Sequence, residues 1–107
     1  MEGLLLFRDG TVCDDSFNYF AADLICKAMG FESAQNWRHG YFNSTNDRYG
    51  IALDDVYCNS THMAIEECQY DVEENNCDHS EDVILACTRQ ERGKSGFILM
   101  VHWGYFN

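Results

Sequence analysis

Two stretches of this chain place a cysteine directly beside acidic residues. Residues 11–15 read Thr-Val-Cys-Asp-Asp, and residues 75–82 read Asn-Asn-Cys-Asp-His-Ser-Glu-Asp. A disulfide between Cys13 and Cys77 would bring these carboxylates together from distant parts of the chain. Clustered carboxylates repel one another unless a cation lies between them, and Ca²⁺ is the first candidate because it binds oxygen ligands. The two stretches therefore favour a cation-binding site.

Catalysis by the same stretches is a weaker interpretation. His79, Ser80 and Asp82 are the residue types of a hydrolytic triad, but residues this close in sequence rarely converge as one. The aspartate pairs at 14–15 and 54–55 have the types of a general acid and base. Cysteine-dependent catalysis needs a free thiol, and an even number of cysteines leaves none spare. We therefore predict that the chain is not an enzyme.

The cysteine content predicts disulfide bonds. The six cysteines are Cys13, Cys26, Cys58, Cys68, Cys77 and Cys87. None of them forms the close Cys-x-x-Cys pair that is typical of zinc ribbons and thioredoxin-like sites. Three disulfides therefore fit best, and they indicate an oxidising compartment. Six cysteines permit many pairings, and spacing alone does not choose among them.

Composition restricts the classes of partner and location. The chain has 107 residues, which fits one domain, and a formal net charge of −11. Nucleic acid is disfavoured because phosphate binding needs a basic surface. No apolar run is long enough to span a bilayer, and no secretory signal peptide is recognisable. N-glycosylation sequons at Asn43 and Asn59 agree with a secreted protein or the extracellular part of a surface protein.

Apolar periodicity predicts one helix and several strands. From about residue 19 to residue 29 apolar residues recur at helical spacing, with Asn18 as the N-cap and Gly30 as the terminator. Stretches with the composition of strands are residues 4–7, 51–57 and 83–87. The last of these is apolar almost throughout, which is typical of a central strand.

Residues 32–50 are rich in Asn, Ser, Gly, Asp and Arg, and they predict a long loop or an irregular hairpin. Long loops commonly carry binding residues. Candidate ligand contacts in this loop are its aromatic and basic side chains: Trp37, Arg38, Tyr41 and Arg48.

The last part of the chain differs in character from residues 1–88. Residues 89–96 form a polar, basic linker, and residues 97–101 are strongly apolar with β propensity. We expect this tail to add a strand to the sheet, in its own chain or in a neighbouring one. Exchange between two chains would produce a homodimer.

Together, these motifs resemble the scavenger receptor cysteine-rich (SRCR) family, in its six-cysteine, group A form. The matching stretches follow the family's order and approximate spacing: GTVCDDS at 10–16, ADLIC at 22–26, MGF at 29–31, GI at 50–51 with LDDV at 53–56 and Cys58, EC at 67–68, and NC at 76–77 with HSED at 79–82 and Cys87. Several motifs that coincide over residues 10–88 make the resemblance specific.

The resemblance implies an α+β fold in which a curved, mainly antiparallel sheet cradles one α-helix. It also implies the disulfides Cys13–Cys77, Cys26–Cys87 and Cys58–Cys68. Members of the family are non-catalytic modules of secreted and cell-surface proteins. The expected function is therefore an extracellular module of the scavenger-receptor, innate-immune type that binds proteins or polyanionic microbial ligands with the assistance of Ca²⁺. The alternative is a structural module that mediates protein–protein assembly.

The resemblance also identifies candidate ligands for Ca²⁺. The family's first site corresponds to Asp14, Asp15 and Glu81. A second family site corresponds to Asp54, Asp55 and Asn76.

The chain departs from the family at both ends and at three tryptophan positions. The positions where the family has tryptophan hold Asp9, Phe17 and Ala52. Ala52 would leave a cavity unless a neighbouring group fills the space. The chain also lacks the family's first strand, which would leave one edge of the sheet open.

Overall fold

The computed structural model describes residues 2–8, 10–71, 77–90, 97–101 and 104–106. These residues form one α-helix packed on a mainly antiparallel sheet. The helix and strands are β1 (Glu2–Phe7), β2 (Gly10–Val12), α1 (Tyr19–Ala28), β3 (Phe31–His39), β4 (Gly50–Tyr57), β5 (Gln69–Asp71), β6 (Val83–Gln90), β7 (Phe97–Val101) and β8 (Gly104–Phe106). Short 3₁₀ helices span Ser44–Arg48, Ile65–Glu67 and His79–Glu81. The predicted fold class is confirmed.

Helix α1 begins and ends where the sequence predicted. The Asn18 side chain accepts a hydrogen bond from the Ala21 backbone amide at 3.0 Å and so satisfies one of the free donors of the first turn. Gly30 has a φ of 95°, a left-handed conformation that favours glycine and terminates the helix. The buried face of the helix packs into the core through Ala21, Ala22, Ile25 and Cys26.

Strand β6 occupies a central place in the sheet, as its apolar run predicted. The strand order is β3-β6-β1-β2-β4-β5, so β6 pairs with β3 on one side and β1 on the other. Every residue from Val83 to Cys87 is buried. Since both faces of β6 are covered, an uninterrupted apolar sequence is required there.

The prediction of a long loop or an irregular hairpin over residues 32–50 is wrong for its first half. Residues Phe31–His39 form β3, a nine-residue edge strand that pairs antiparallel with β6. Its Asn, Gln and Ser residues have low intrinsic β propensity, but pairing with a buried central strand outweighs that preference. Trp37 and Arg38 therefore lie on a strand, and the Trp37 ring packs edge-on against Phe17 with centroids 4.9 Å apart.

The apolar tail covers the open edge of β1. Strand β7 pairs antiparallel with β1 of the same chain, with Leu99 opposite Leu5 and Phe97 opposite Phe7. Phe97 is 5% exposed and Leu99 is fully buried. Strand β8 extends the pairing beyond β7. The linker residues 91–96 lie outside the described residues.

Ala52 lies against the backbone of Gly10 on the neighbouring strand. A Cβ atom placed on Gly10 would stand only 2.7 Å from the Ala52 Cβ, so β2 and β4 approach closely at this point. Any side chain larger than that of glycine at position 10 would therefore clash with Ala52. The small side chain is thus matched to a glycine on the neighbouring strand.

The three disulfides join the pairs implied by the family resemblance. Their Cα atoms are 6.3 Å apart in Cys13–Cys77, 5.7 Å apart in Cys26–Cys87 and 4.9 Å apart in Cys58–Cys68. No cysteine is free. Cys26–Cys87 ties helix α1 to the central strand β6, whereas Cys13–Cys77 joins the two acidic stretches.

Candidate functional site

The turn that carries Asp14 and Asp15 follows β2 and is held by backbone hydrogen bonds on both sides. The Cys13 amide donates to the Leu53 carbonyl of β4 at 2.9 Å. The Asp14 amide donates to the Glu81 carbonyl, also at 2.9 Å. The turn is therefore positioned between β4 and the segment that precedes β6, and its carboxylates lie near that segment.

Glu81 is oriented by a capping box at the 3₁₀ helix His79–Glu81. The Asp78 side chain accepts from the Ser80 amide at 2.9 Å, and the Asp78 amide donates to Glu81 Oε2 at 3.1 Å. These reciprocal bonds restrict the rotamers of Glu81. The disulfide Cys13–Cys77 joins the same segment to the turn covalently.

The three residues predicted to form the first cation site lie close together in the structure. Asp14, Asp15 and Glu81 each contribute a carboxylate oxygen to a group of atoms that lie within 4.8 Å of one another. Calcium binds oxygen at about 2.3–2.6 Å, so ligands on opposite sides of the ion stand about 5 Å apart. The spacing and the oxygen donors both fit a hard divalent cation. We refer to these three residues as the acidic cluster.

The second predicted set is brought together only in part. A carboxylate oxygen of Asp54 lies within 4.8 Å of one from Asp15, so Asp54 adjoins the acidic cluster. Its Oδ1 already accepts a hydrogen bond from the Asp55 amide at 2.8 Å. Asp55 is exposed and accepts a bond from the Ser16 hydroxyl at 3.4 Å, and it belongs to neither close group of carboxylates. Asn76 lies outside the described residues.

The electrostatics of the cluster show the repulsion expected of adjacent acids. Burial raises the pKa of Asp14, and the charge of Asp15 raises it further. His39 opposes this effect, because its Nδ1 lies 3.4 Å from an Asp14 carboxylate oxygen. A cation in the cluster would replace repulsion with attraction and would lower the pKa of Asp14.

Sequence reasoning missed the part that His39 plays beside the cluster. His39 ends β3, and its Nδ1 also lies 3.4 Å from the Ser80 carbonyl oxygen. A position far from both acidic stretches in sequence gives no local signal for this contact. The pairing of β3 with β6, which was not predicted from the sequence, brings His39 there.

Tyr41, one of the predicted ligand contacts, interacts electrostatically with the segment that bears Glu81. Its ring is 54% exposed. Partial burial raises the pKa of the Tyr41 hydroxyl, and the charges of Asp47, Asp78 and Asp82 raise it further. An exposed aromatic side chain in a negative field suits contact with a ligand.

The other predicted contacts lie apart from this arrangement. Arg38 pairs with Glu2 at 3.7 Å, Trp37 is half-buried, and Arg48 is exposed at the end of a 3₁₀ helix. The sequon residue Asn59 accepts bonds from the amide and hydroxyl of Thr61. The Asn43 amide donates to the Asn46 side chain at 3.1 Å.

A comparison with models of known protein families shows which family the chain belongs to. The family described as "Scavenger receptor cysteine-rich domain" matches residues 4–88. The chain belongs to this family. Domains of the SRCR family are extracellular ligand-binding and protein-interaction modules. Among the residues that the structure describes, no helix has the length and apolar character needed to cross a bilayer.

Individual relatives agree with the assignment. The chain is 37% identical over 87 residues to lysyl oxidase homolog 2 of Xenopus laevis. The aligned region covers 74% of this chain and 10% of that protein. It is 38% identical over 93 residues to lysyl oxidase homolog 4 of Homo sapiens, covering 78% of this chain and 11% of that protein. The SRCR region is shared and the catalytic part is not, so oxidase activity does not follow.

The fold is also similar to a solved SRCR structure. The dimeric form of the SRCR domain of mouse MARCO aligns with a TM-score of 0.66 at 25% identity, covering 82% of this chain and 87% of that one. The SRCR fold predicted from the motifs is confirmed. A homodimer of the present chain through its tail stays a prediction.

Proposed function

We propose that this SRCR domain binds an extracellular protein or an anionic surface ligand through a Ca²⁺ ion held by the acidic cluster. The observation that supports the proposal is the convergence of oxygens from Asp14, Asp15 and Glu81 within 4.8 Å. Three carboxylates supply up to six oxygens, and Ca²⁺ takes six to eight, some from water or from a ligand. The ion would thus have room to accept an oxygen from the bound partner.

This arrangement would also reconcile an acidic domain with an anionic ligand. The chain carries a net charge of −11, which by itself repels sulfates, phosphates and carboxylates. A divalent cation would offset two of the three negative charges of the cluster and would offer a positive centre that an anionic oxygen of the ligand can coordinate directly. Tyr41 and His39, next to the cluster and its flanking segment, would then contact the ligand around the ion.

The test is calorimetric titration of Ca²⁺ into the oxidised domain and into two variants, Asp15→Asn and Glu81→Gln. Each substitution removes one charge and keeps the size of the side chain. We expect saturable binding by the wild type and at least about tenfold weaker binding by either variant, because a ligand of the ion is lost. Asp47→Asn is the matched control, since it removes an exposed acid that lies outside the cluster.

Two results would argue against the proposal. One is the absence of a saturable heat at millimolar Ca²⁺ in the wild type. The other is equal weakening by Asp47→Asn and Asp15→Asn, which would indicate a diffuse effect of net charge. Either result would leave the acids as a solvated surface and would favour a cation-independent protein partner.

A further inference from the structure

A second concave site shares no residue with the acidic cluster. A cavity of about 220 Å³ opens where the end of β1 meets β4, β5, β7 and the 3₁₀ helix Ile65–Glu67. It is lined by Phe7, Arg8, Leu53, Val56, Ile65, Glu66, Tyr70 and Phe97. We refer to it as the apolar pocket.

The interior of the apolar pocket is aliphatic and aromatic. Leu53, Val56 and Ile65 are each at most 7% exposed, and they form part of the main core. The rings of Phe7 and Phe97 pack against each other with centroids 4.8 Å apart. The rigid core around these residues means that the pocket exists before any partner binds, which lowers the entropic cost of binding.

One wall of the pocket comes from outside the region that matches the family. Phe97 belongs to β7, whereas the family match ends at residue 88. The pairing of β7 with β1 places Phe97 beside Phe7. The pocket therefore depends on the tail strand of this chain, and the family assignment alone does not predict it.

The size of the pocket indicates what it can accept. Sites for drug-sized molecules are usually about 300–1,000 Å³, which is larger than this cavity. A protein cavity of about 150 Å³ is known to hold one benzene ring. The pocket at about 220 Å³ thus fits a single aromatic side chain. Aromatic side chains inserted into such pockets are the usual anchors of protein–protein interfaces.

Charges at the rim indicate the residues that flank this anchor. Glu66 lines the pocket, and the exposed Glu67 and Asp71 adjoin its lining residues in sequence. Among the lining residues that the structure describes, Arg8 is the one base, and its guanidinium lies 4.9 Å from the centre of the Phe7 ring. Glu66 and Arg8 balance each other among the described lining residues, whereas the chain as a whole carries a net charge of −11, so the long-range field favours a basic partner segment.

We propose that the apolar pocket receives one aromatic side chain of an extracellular protein partner, presented by a segment rich in Lys and Arg. The aromatic ring would contact Val56, Ile65 and Phe97, and the basic flanks would lie beside Glu66. The exposed ring of Tyr70, at 48%, would cover the inserted side chain at the rim. The interaction does not involve the acidic cluster.

The test uses short peptides as probes of the ¹⁵N-labelled domain by NMR, in buffer that contains EDTA. The probe is acetyl-lysyl-phenylalanyl-lysine amide. We expect its saturable shifts to concentrate at the amides of Leu53, Val56, Ile65 and Tyr70. Replacing phenylalanine by alanine in the probe should weaken binding about tenfold, because the ring loses its burial. Replacing both lysines by glutamates should also weaken it.

Matched protein variants separate the pocket from general surface effects. Tyr70→Ala should weaken the lysine probe about fivefold, as for truncation of an interface residue. Tyr57→Ala should leave binding unchanged, since Tyr57 is similarly exposed but does not line the pocket. Glu66→Gln should weaken binding more than Glu67→Gln, although both remove one charge.

Three outcomes would overturn this proposal. They are equal binding of the phenylalanine and alanine probes, preference for the glutamate probe, and shifts centred on the exposed helix aromatics Tyr19 and Phe20. Because Ca²⁺ is absent from the experiment, its result is independent of the cation site. Failure of either proposal therefore leaves the other untouched.

Discussion

Glu81 and Asp82 are consecutive acids with opposite surroundings. Glu81 is partly exposed and contributes to the acidic cluster. Asp82 is fully buried, and its Oδ2 accepts hydrogen bonds from Asn46 Nδ2 at 2.9 Å and from His79 Nδ1 at 2.7 Å. Burial raises the pKa of Asp82. The Glu81 carboxylate thus lies among the acids of the cluster, whereas the Asp82 carboxylate is buried and held through Oδ2 by two donors of the protein.

The buried carboxylate organises the chain around it. The Asn46 side chain that donates to Asp82 accepts bonds from the amides of Phe42 and Asn43, at 2.9 and 3.1 Å. The Asp82 carbonyl accepts from the Gly40 amide at 2.9 Å. Asp82 therefore holds the segment after β3 against the start of β6. The comparison teaches that burial and bonding partners, not residue type, separate a structural acid from one that can bind a ligand.

The largest expected difference between the two kinds of acid is in stability. Asp82→Ala removes an acceptor from the buried Asn46 amide and from the partly buried His79 ring, and should lower the free energy of unfolding by about 2–4 kcal/mol. Asp15→Ala should change it by less than about 0.5 kcal/mol, or raise it slightly, because a like-charge contact is relieved. Urea unfolding of the oxidised proteins at neutral pH measures both values. Equal losses would show that the acids of the cluster also carry the fold.

The two histidine–aspartate contacts extend the comparison with smaller effects. His79 lies 2.7 Å from Asp82 and its side chain is 18% exposed, whereas His39 lies 3.4 Å from Asp14 and is 59% exposed. His79→Ala should lower the free energy of unfolding by about 1–2 kcal/mol, since the buried Asp82 carboxylate loses a hydrogen-bond donor. His39→Ala should cost less than about 0.5 kcal/mol, as for an exposed pair. Differential scanning calorimetry compares the stabilities of the two variants. A larger loss of stability for His39→Ala would contradict the view that the His79–Asp82 contact is the more important for the fold.

The sequence predicted most of the framework for identifiable reasons. The helix has an N-cap at Asn18 and a terminator at Gly30, and β6 is apolar because both of its faces are covered. The disulfide pairs followed from the resemblance to the SRCR family and not from cysteine spacing. Local sequence patterns or family motifs therefore suffice to predict these features.

The missed features depend on contacts between distant residues. Strand β3 has a polar sequence, and it is a strand because β6 pairs with it. The place of His39 beside Asp14 follows from that pairing. The distinction between Glu81 and Asp82 depends on Asn46, which lies 36 residues before Asp82. No local pattern carries this information, so sequence reasoning found the acids but could not assign their separate surroundings.

The smallest predicted effect concerns the pH dependence that Asp14 contributes. Burial, together with the charge of Asp15, raises the pKa of Asp14 above its value in the unfolded chain. A carboxyl group with a raised folded pKa contributes stability that is present at low pH and is lost as the pH rises through that pKa. Without Ca²⁺, we therefore expect the wild type to lose stability relative to Asp14→Asn as the pH rises from about 3.5 to about 6.

Taking the difference between these two proteins isolates Asp14, because the raised pKa of Asp82 is common to both and cancels. Urea unfolding over the pH series gives this difference directly. A difference in the free energy of unfolding that stays constant with pH would show that Asp14 has the same pKa in the folded and unfolded chains, contrary to its position in the cluster. In saturating Ca²⁺ the wild type should instead be more stable than Asp14→Asn at pH 6. An ion that binds the folded wild type more tightly than the folded variant stabilises the wild type by mass action. That reversal would distinguish a cation-binding cluster from acids that merely repel one another.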